Sequence, residues 1–252
     1  MSIIRKFILS PLSLISLRVL YRAAPMIVAV TLTVNPLTTS AVQADDAISW
    51  NASATFVTDY RFRGVSFSSH DAAVQAGVTA TTSSGFFLGV WGSSIQSYGG
   101  SELEMDIFGG YNGQLSENIS YTVGLLAYTY PGSDNTHYFE GYGSVSGAVD
   151  KLSWTVGAAY APDQDNIGMR QGDFYLYTSA SYPLSDALSL SAYVAREKGA
   201  FGRLDGDAKF DWSLGASYNL TDKISLGVSY IDTNYDSSLG KATVVASLSA
   251  SF

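Results

Sequence analysis

The sequence predicts an all-β protein: a closed antiparallel transmembrane β-barrel of about twelve strands, with short turns at one end and longer loops at the other. Three observations carry that expectation. From residue 48 onward apolar and polar residues alternate with period two, as in "FDWSLGASYNL" (210–220), where Phe210, Trp212, Leu214, Ala216 and Tyr218 share one face and Asp211, Ser213, Gly215, Ser217 and Asn219 the other. Short turn signals alternate with longer polar connections, the layout of a bacterial outer-membrane barrel. Only 14% of residues are charged, against roughly 25% in an ordinary soluble domain, which is too few to wrap a soluble globule of this size.

Residues 1–44 read as a cleaved export signal. Arg5, Lys6, Arg18 and Arg22 form a long basic region, "AAPMIVAVTLTV" (23–34) is an apolar stretch, and "VQA" ending at Ala44 supplies small residues for cleavage. Pro25 interrupts that stretch, which is shorter than the roughly 18 to 20 residues of a spanning helix. The barrel then occupies 45–252. With four of the 14 basic residues in the leader and all 22 acidic residues beyond it, the remaining chain is strongly acidic and repels nucleic acid. It has no cysteine, hence no disulfide framework or thiolate metal site, and no cofactor motif is recognisable.

The elements follow in order. The first strand is expected to include the start of "TFVTDYRFRGVSF" (55–67), up to about Arg63, with Asp59, Arg61 and Arg63 on one face and Tyr60 and Phe62 on the other. Tight turns fall at "SSG" (83–85), "SEN" (116–118), "DK" (150–151), "PLSDA" (183–187) and "TDK" (221–223). Longer connections fall at 64–72, 95–101, 131–137, 161–172, 196–207 and 232–240. Five turns and six loops count out twelve strands. "LSWTVGAAY" (152–160), "DFYLYTSASY" (173–182), "LSLSAYVA" (188–195) and "ISLGVSY" (224–230) repeat the alternation. On the apolar parity, Trp50, Phe86, Tyr182, Tyr218 and Phe252 gather near the short-turn end, while Tyr60, Phe62, Tyr160, Phe174, Phe210 and Tyr230 gather near the long loops. Two such belts suit a wall that meets a lipid interface at each end. The final strand, "KATVVASLSASF", closes on Phe252; this resembles the C-terminal signature of outer-membrane proteins, which implies recognition by the barrel-assembly machinery.

Turning the polar parity inward makes Asp59, Arg61, Arg63, Glu102, Glu104, Asp106 and Glu140 the candidate lumen and selectivity residues, with Gln75, Asp173 and Asp211 beside them. Rings of charge set ion selectivity in pores. The same residues could instead cross-brace a closed interior, since buried charges must pair. Few residues separate Asp45 from the first strand, so no N-terminal plug domain is expected.

The stretches "TDYRFRGVSFSSHDAAVQAGVTA" (58–80), "SGFFLGVWGSS" (84–94), "ELEMDIFGGYNG" (102–113) and "LAYTYPG" (126–132) resemble the TorF-type porin family of conserved hypothetical bacterial proteins. The resemblance covers about residues 50–145. It implies passive outer-membrane transport of small polar solutes or ions, with no established substrate or site. A non-conducting structural or adhesive barrel is the alternative. A lipid hydrolase built on His70 or His137 is a third reading, with poor support because Ser69, His70 and Asp71 are sequence neighbours and a triad is a matter of geometry. Loop acids around "DQDNIG" (163–168) lack the ligand spacing of a calcium loop.

Overall fold

A computed structural model describes residues 48–203 and 206–252. The proposed leader, its cleavage point and residues 204–205 of the connection expected at 196–207 lie outside the described residues. The strands are β1 (Ile48–Val57), β2 (Arg61–Phe62), β3 (Val65–Ser66), β4 (Ala73–Thr82), β5 (Phe86–Tyr98), β6 (Ser101–Ser116) and β7 (Ile119–Thr129). They continue as β8 (Tyr138–Val149), β9 (Leu152–Ala161), β10 (Asp173–Pro183), β11 (Leu188–Gly199), β12 (Lys209–Asn219), β13 (Ile224–Thr233) and β14 (Thr243–Ser251). β1 and β4 through β14 make a closed antiparallel barrel of twelve strands, while β2 and β3 form a separate hairpin.

Closure is made by β1, which pairs with β4 on one edge and with β14 on the other, in the register Ser53 to Ser251 through Val57 to Ser247. A backbone pair between Ala52 and Phe252 extends that seam. Closing the sheet removes its edges, so each strand of the barrel satisfies its backbone groups through its neighbours, as a strand crossing a bilayer would have to. All five expected tight turns join the strands predicted to flank them.

The outer wall is apolar. Trp50 and Phe252, 69% and 71% exposed, lie at the short-turn end with Phe86, Tyr182 and Tyr218, and exposed Tyr160, Phe174, Phe210 and Tyr230 ring the other end. Leu214, in the middle of β12, is exposed outward, and its neighbour Ser213 is half-buried on the inner face. Leu214→Arg is therefore expected to destabilise the inserted barrel by about 2–4 kcal/mol, the range for a cation near the bilayer midplane. Ser213→Arg is expected to cost clearly less. Urea titration of the protein refolded into vesicles checks both; equal costs would reverse the assignment of inside and outside.

Three expectations need correction. The first strand ends at Val57, and residues 58–72 leave the wall and fold inward. Tyr60 and Phe62 therefore do not belong to a lipid-facing belt: they are buried, Phe62 to 1% exposure. They pack as a core, with ring centroids 5.1 Å apart for Phe62–Phe67, 5.8 Å for Tyr60–Phe67 and 5.7 Å for Tyr60–Trp91. The long connection expected at 95–101 is instead a two-residue turn, Gly99–Gly100, with φ of 59° and 95°. Two positive φ angles are what a tight β-hairpin requires and what glycine supplies.

Candidate functional site

The inward segment is turned by Arg63 and Gly64, with φ of 44° and 84°. A Cβ on Gly64 would lie 2.8 Å from Asp211 Cβ and 2.7 Å from Thr233 Cβ, so only glycine lets the hairpin tip meet β12 and β13. At its other flank Tyr60 donates a hydrogen bond to Glu104 of β6 at 2.9 Å. β6 and β12 stand opposite each other in the strand order, so the hairpin crosses the lumen from wall to wall. The filling of the lumen is done by the first long loop.

At this level the charged groups are buried, and all but Asp106 are bonded to one another or to tyrosines. Arg63 Nη2 donates to both oxygens of Glu140 at 2.9 and 3.1 Å, Arg63 Nη1 donates to Glu197, and Asp173 lies 3.6 Å from Nη1. The guanidinium carbon sits 4.0 Å from the centre of the Tyr175 ring and 5.2 Å from that of Phe62, within cation–π range. Glu197 is also ion-paired with Lys209. Tyr128 donates to Glu140 at 2.7 Å, and Tyr175 donates to Asp211 at 3.1 Å. Glu104 accepts from Tyr60 and Tyr130. Those two tyrosines lie outside the spanning strands; burial and then the Glu104 charge push their hydroxyl pKa values well up, which keeps them protonated as donors. Asp106, beside this cluster, is fully buried and neither carboxylate oxygen has a hydrogen-bond partner among the described residues.

Asp59 and Arg61 are not wall residues. They pair at 2.7 Å and brace the base of the inward segment: Ser66 donates to Asp59 at 2.6 Å, and Arg61 donates to the carbonyls of Gly64, Leu239 and Lys241. His70 joins this brace through Asp59, Arg61 and the Ser238 carbonyl. Among the described residues no serine or threonine hydroxyl is bonded to either histidine ring, so a triad geometry is not assembled there. Glu102 shares parity with Glu104 and Asp106 but sits at the exposed tip of β6, beyond the buried ring. The structure thus brings Arg63 to Glu140, sets Glu104 under the same hairpin, and leaves Glu102 apart.

Glu197 and Lys209 are essential to the cluster and fell in or beside the connection expected at 196–207. Their signal was the unbroken alternation: Tyr193, Ala195 and Glu197 continue one face of β11, as Lys209 and Asp211 begin one face of β12. Toward the short-turn end the lumen changes character. Inward positions there include Ser146, Thr155, Ser179, Ser213, Ser229 and Ser247, all half-buried, and none of the described inward residues in that half is charged. The interior is therefore an uncharged half lined by hydroxyls and by the inward rings of Phe87 and Phe108, beneath a closed, acid-rich ring.

Residues 41–252 match the family described as "Bacterial protein of unknown function (Gcw_chp)". The TorF-type label read from the motifs stays a resemblance. No curated protein matches the sequence. Among solved structures, the NanC porin is 11% identical with a TM-score of 0.59, covering 81% of this chain and 99% of that one. The KdgM porin is 9% identical with a TM-score of 0.57, covering 80% and 98%, and is also seen in complex with disordered oligogalacturonate at the same similarity. These likenesses are of fold.

Proposed function

The chain belongs to the Gcw_chp family, a bacterial family of unknown function, and starting from that membership we propose that it is an outer-membrane porin for small polar solutes or ions, closed at rest by its own first long loop. The observation that carries this reading is how the lumen is stoppered. A permanently filled barrel closes with side chains of its wall, whereas here the wall leaves a hydroxyl-lined interior and a separate hairpin, tethered at 58 and 72, occupies the outer half. Export by residues 1–44, insertion through recognition of the exposed terminal Phe252, and an apolar wall in contact with outer-membrane lipid belong to the same proposal.

Six carboxylates of the wall, Glu104, Asp106, Glu140, Asp173, Glu197 and Asp211, line the buried ring with Lys209, and the hairpin adds Arg63. That excess favours cations and neutral polar solutes and opposes a polyanion such as the oligogalacturonate named for KdgM. A non-conducting structural barrel is the second reading, and the ionic network around Arg63 is the observation in its favour, because a buried ion-paired cluster also serves as a brace. Planar-bilayer recording of refolded 45–252 separates the two. Discrete openings are expected from a porin. A silent wild type together with a silent variant lacking the hairpin would leave the structural reading.

A further inference from the structure

We propose that the carboxylate cage around Arg63 is a binding site for small organic cations of the guanidinium or primary-amine class, with Arg63 as its resident occupant in the closed state. The inference rests on the barrel being a conduit and names the solute class its ring would select. What makes the cage a site is where its parts come from. Glu140 is on β8, Asp173 and Tyr175 on β10, and Glu197 on β11, so the three carboxylates and the aromatic face belong to the wall. Only Arg63 and Phe62 belong to the hairpin. When the hairpin withdraws, a fork of acceptors over a ring face stays behind, already shaped to a planar cation: two contacts from Glu140, one from Glu197, and Tyr175 at 4.0 Å. Paired carboxylates match the donors of a guanidinium, and an aromatic face favours a weakly hydrated cation over a strongly hydrated metal ion.

A second observation points the same way. Asp106 is fully buried, has no hydrogen-bond partner for either oxygen among the described residues, and lies within electrostatic reach of Glu104 and Glu140. A carboxylate buried without a partner is costly, so Asp106 gains an acceptor's role only when the hairpin withdraws and water or a cation reaches it. The resident guanidinium therefore leaves two buried acceptor oxygens near the cage unused, and an incoming cation has donors to offer them. Anions are repelled by the same groups.

The test is chemical rescue. Arg63→Ala keeps the backbone strain at φ 44° and removes only the occupant. Refolded in detergent, this variant is titrated with methylguanidinium chloride in the low millimolar range, with sodium chloride and with urea as the neutral isostere. A saturable rise in Tm with methylguanidinium alone, absent in the wild type, is the expected result; equal responses to all three overturn the proposal. If R63A does not refold, the wild type decides through its reversal potential with methylguanidinium on one side and sodium on the other: preference for methylguanidinium supports the cage, and no preference overturns it. Rescue of R63A without any current would uphold the cage and remove the conduit, while current without rescue or preference would do the opposite.

Discussion

Arg63→Ala is expected to lower the stability of the folded barrel by about 3–5 kcal/mol, the range for breaking a buried ion pair by removing one partner. The loss comes less from the missing attraction than from what is left behind. Glu140, Asp173 and Glu197 stay packed against protein, with Lys209 bound to the far oxygen of Glu197. Arg63→Lys is expected to fall between, since an ammonium restores the charge but cannot span Glu140 and Glu197 with one rigid fork. Replacing Glu140 by glutamine in the R63A background is expected to recover part of the loss, because one stranded carboxylate is then gone. A double-mutant cycle in urea reads the coupling directly. Additive losses would mean that the hairpin is held by its aromatic core alone.

The barrel was legible because its signals are local and repeated. Alternation names two faces, and short turns count strands, so twelve strands could be placed without knowing what either face touches. The same property explains where the reading of "TDYRFRG" failed. Alternation places Asp59, Arg61 and Arg63 opposite Tyr60 and Phe62, but it does not say whether the aromatic face meets lipid or protein. In a strand of the wall it would meet lipid; in a hairpin that fills the lumen it meets Trp91 and Phe67. The deciding fact is the Arg63–Gly64 turn pressed against β12 and β13, a long-range contact absent from any local pattern. Glu102 shows a related limit, since parity gives direction but not depth: one position along the same face from Glu104, it clears the buried ring. Glu197 and Lys209 were readable, and were hidden only because the strands overshoot the polar residues that looked like loop.

Replacing Tyr60–Phe67 with two glycines is expected to open the barrel and make it cation-selective. The deletion is geometrically mild because the cut ends, Asp59 and Ser68, are neighbours: Ser68 Oγ donates to Asp59 at 3.3 Å, beside the bond from Phe67 N to Tyr60 O. Its energetic consequence differs from that of Arg63→Ala, although both remove the guanidinium. With the whole hairpin gone, water enters the outer half and hydrates Glu140, Asp173 and Glu197, so the penalty of stranded buried charge falls away. The shortened barrel should therefore be less perturbed in urea than R63A despite losing more contacts. In the opened lumen the carboxylates act across a confined aqueous path whose low-dielectric walls focus their field, which raises local cation concentration on the order of tenfold or more at low salt. Glu104→Gln with Asp106→Asn in the shortened background should move the reversal potential toward anions. Glu102→Gln should move it little, because that side chain is exposed at the strand tip, where salt screens it within about 10 Å. Recordings in a potassium chloride gradient compare the three. Equal shifts from Glu102 and from the Glu104–Asp106 pair would mean that selectivity is set at the mouth and not in the ring, and a shortened barrel that carries no current would leave the hairpin a brace with nothing to gate.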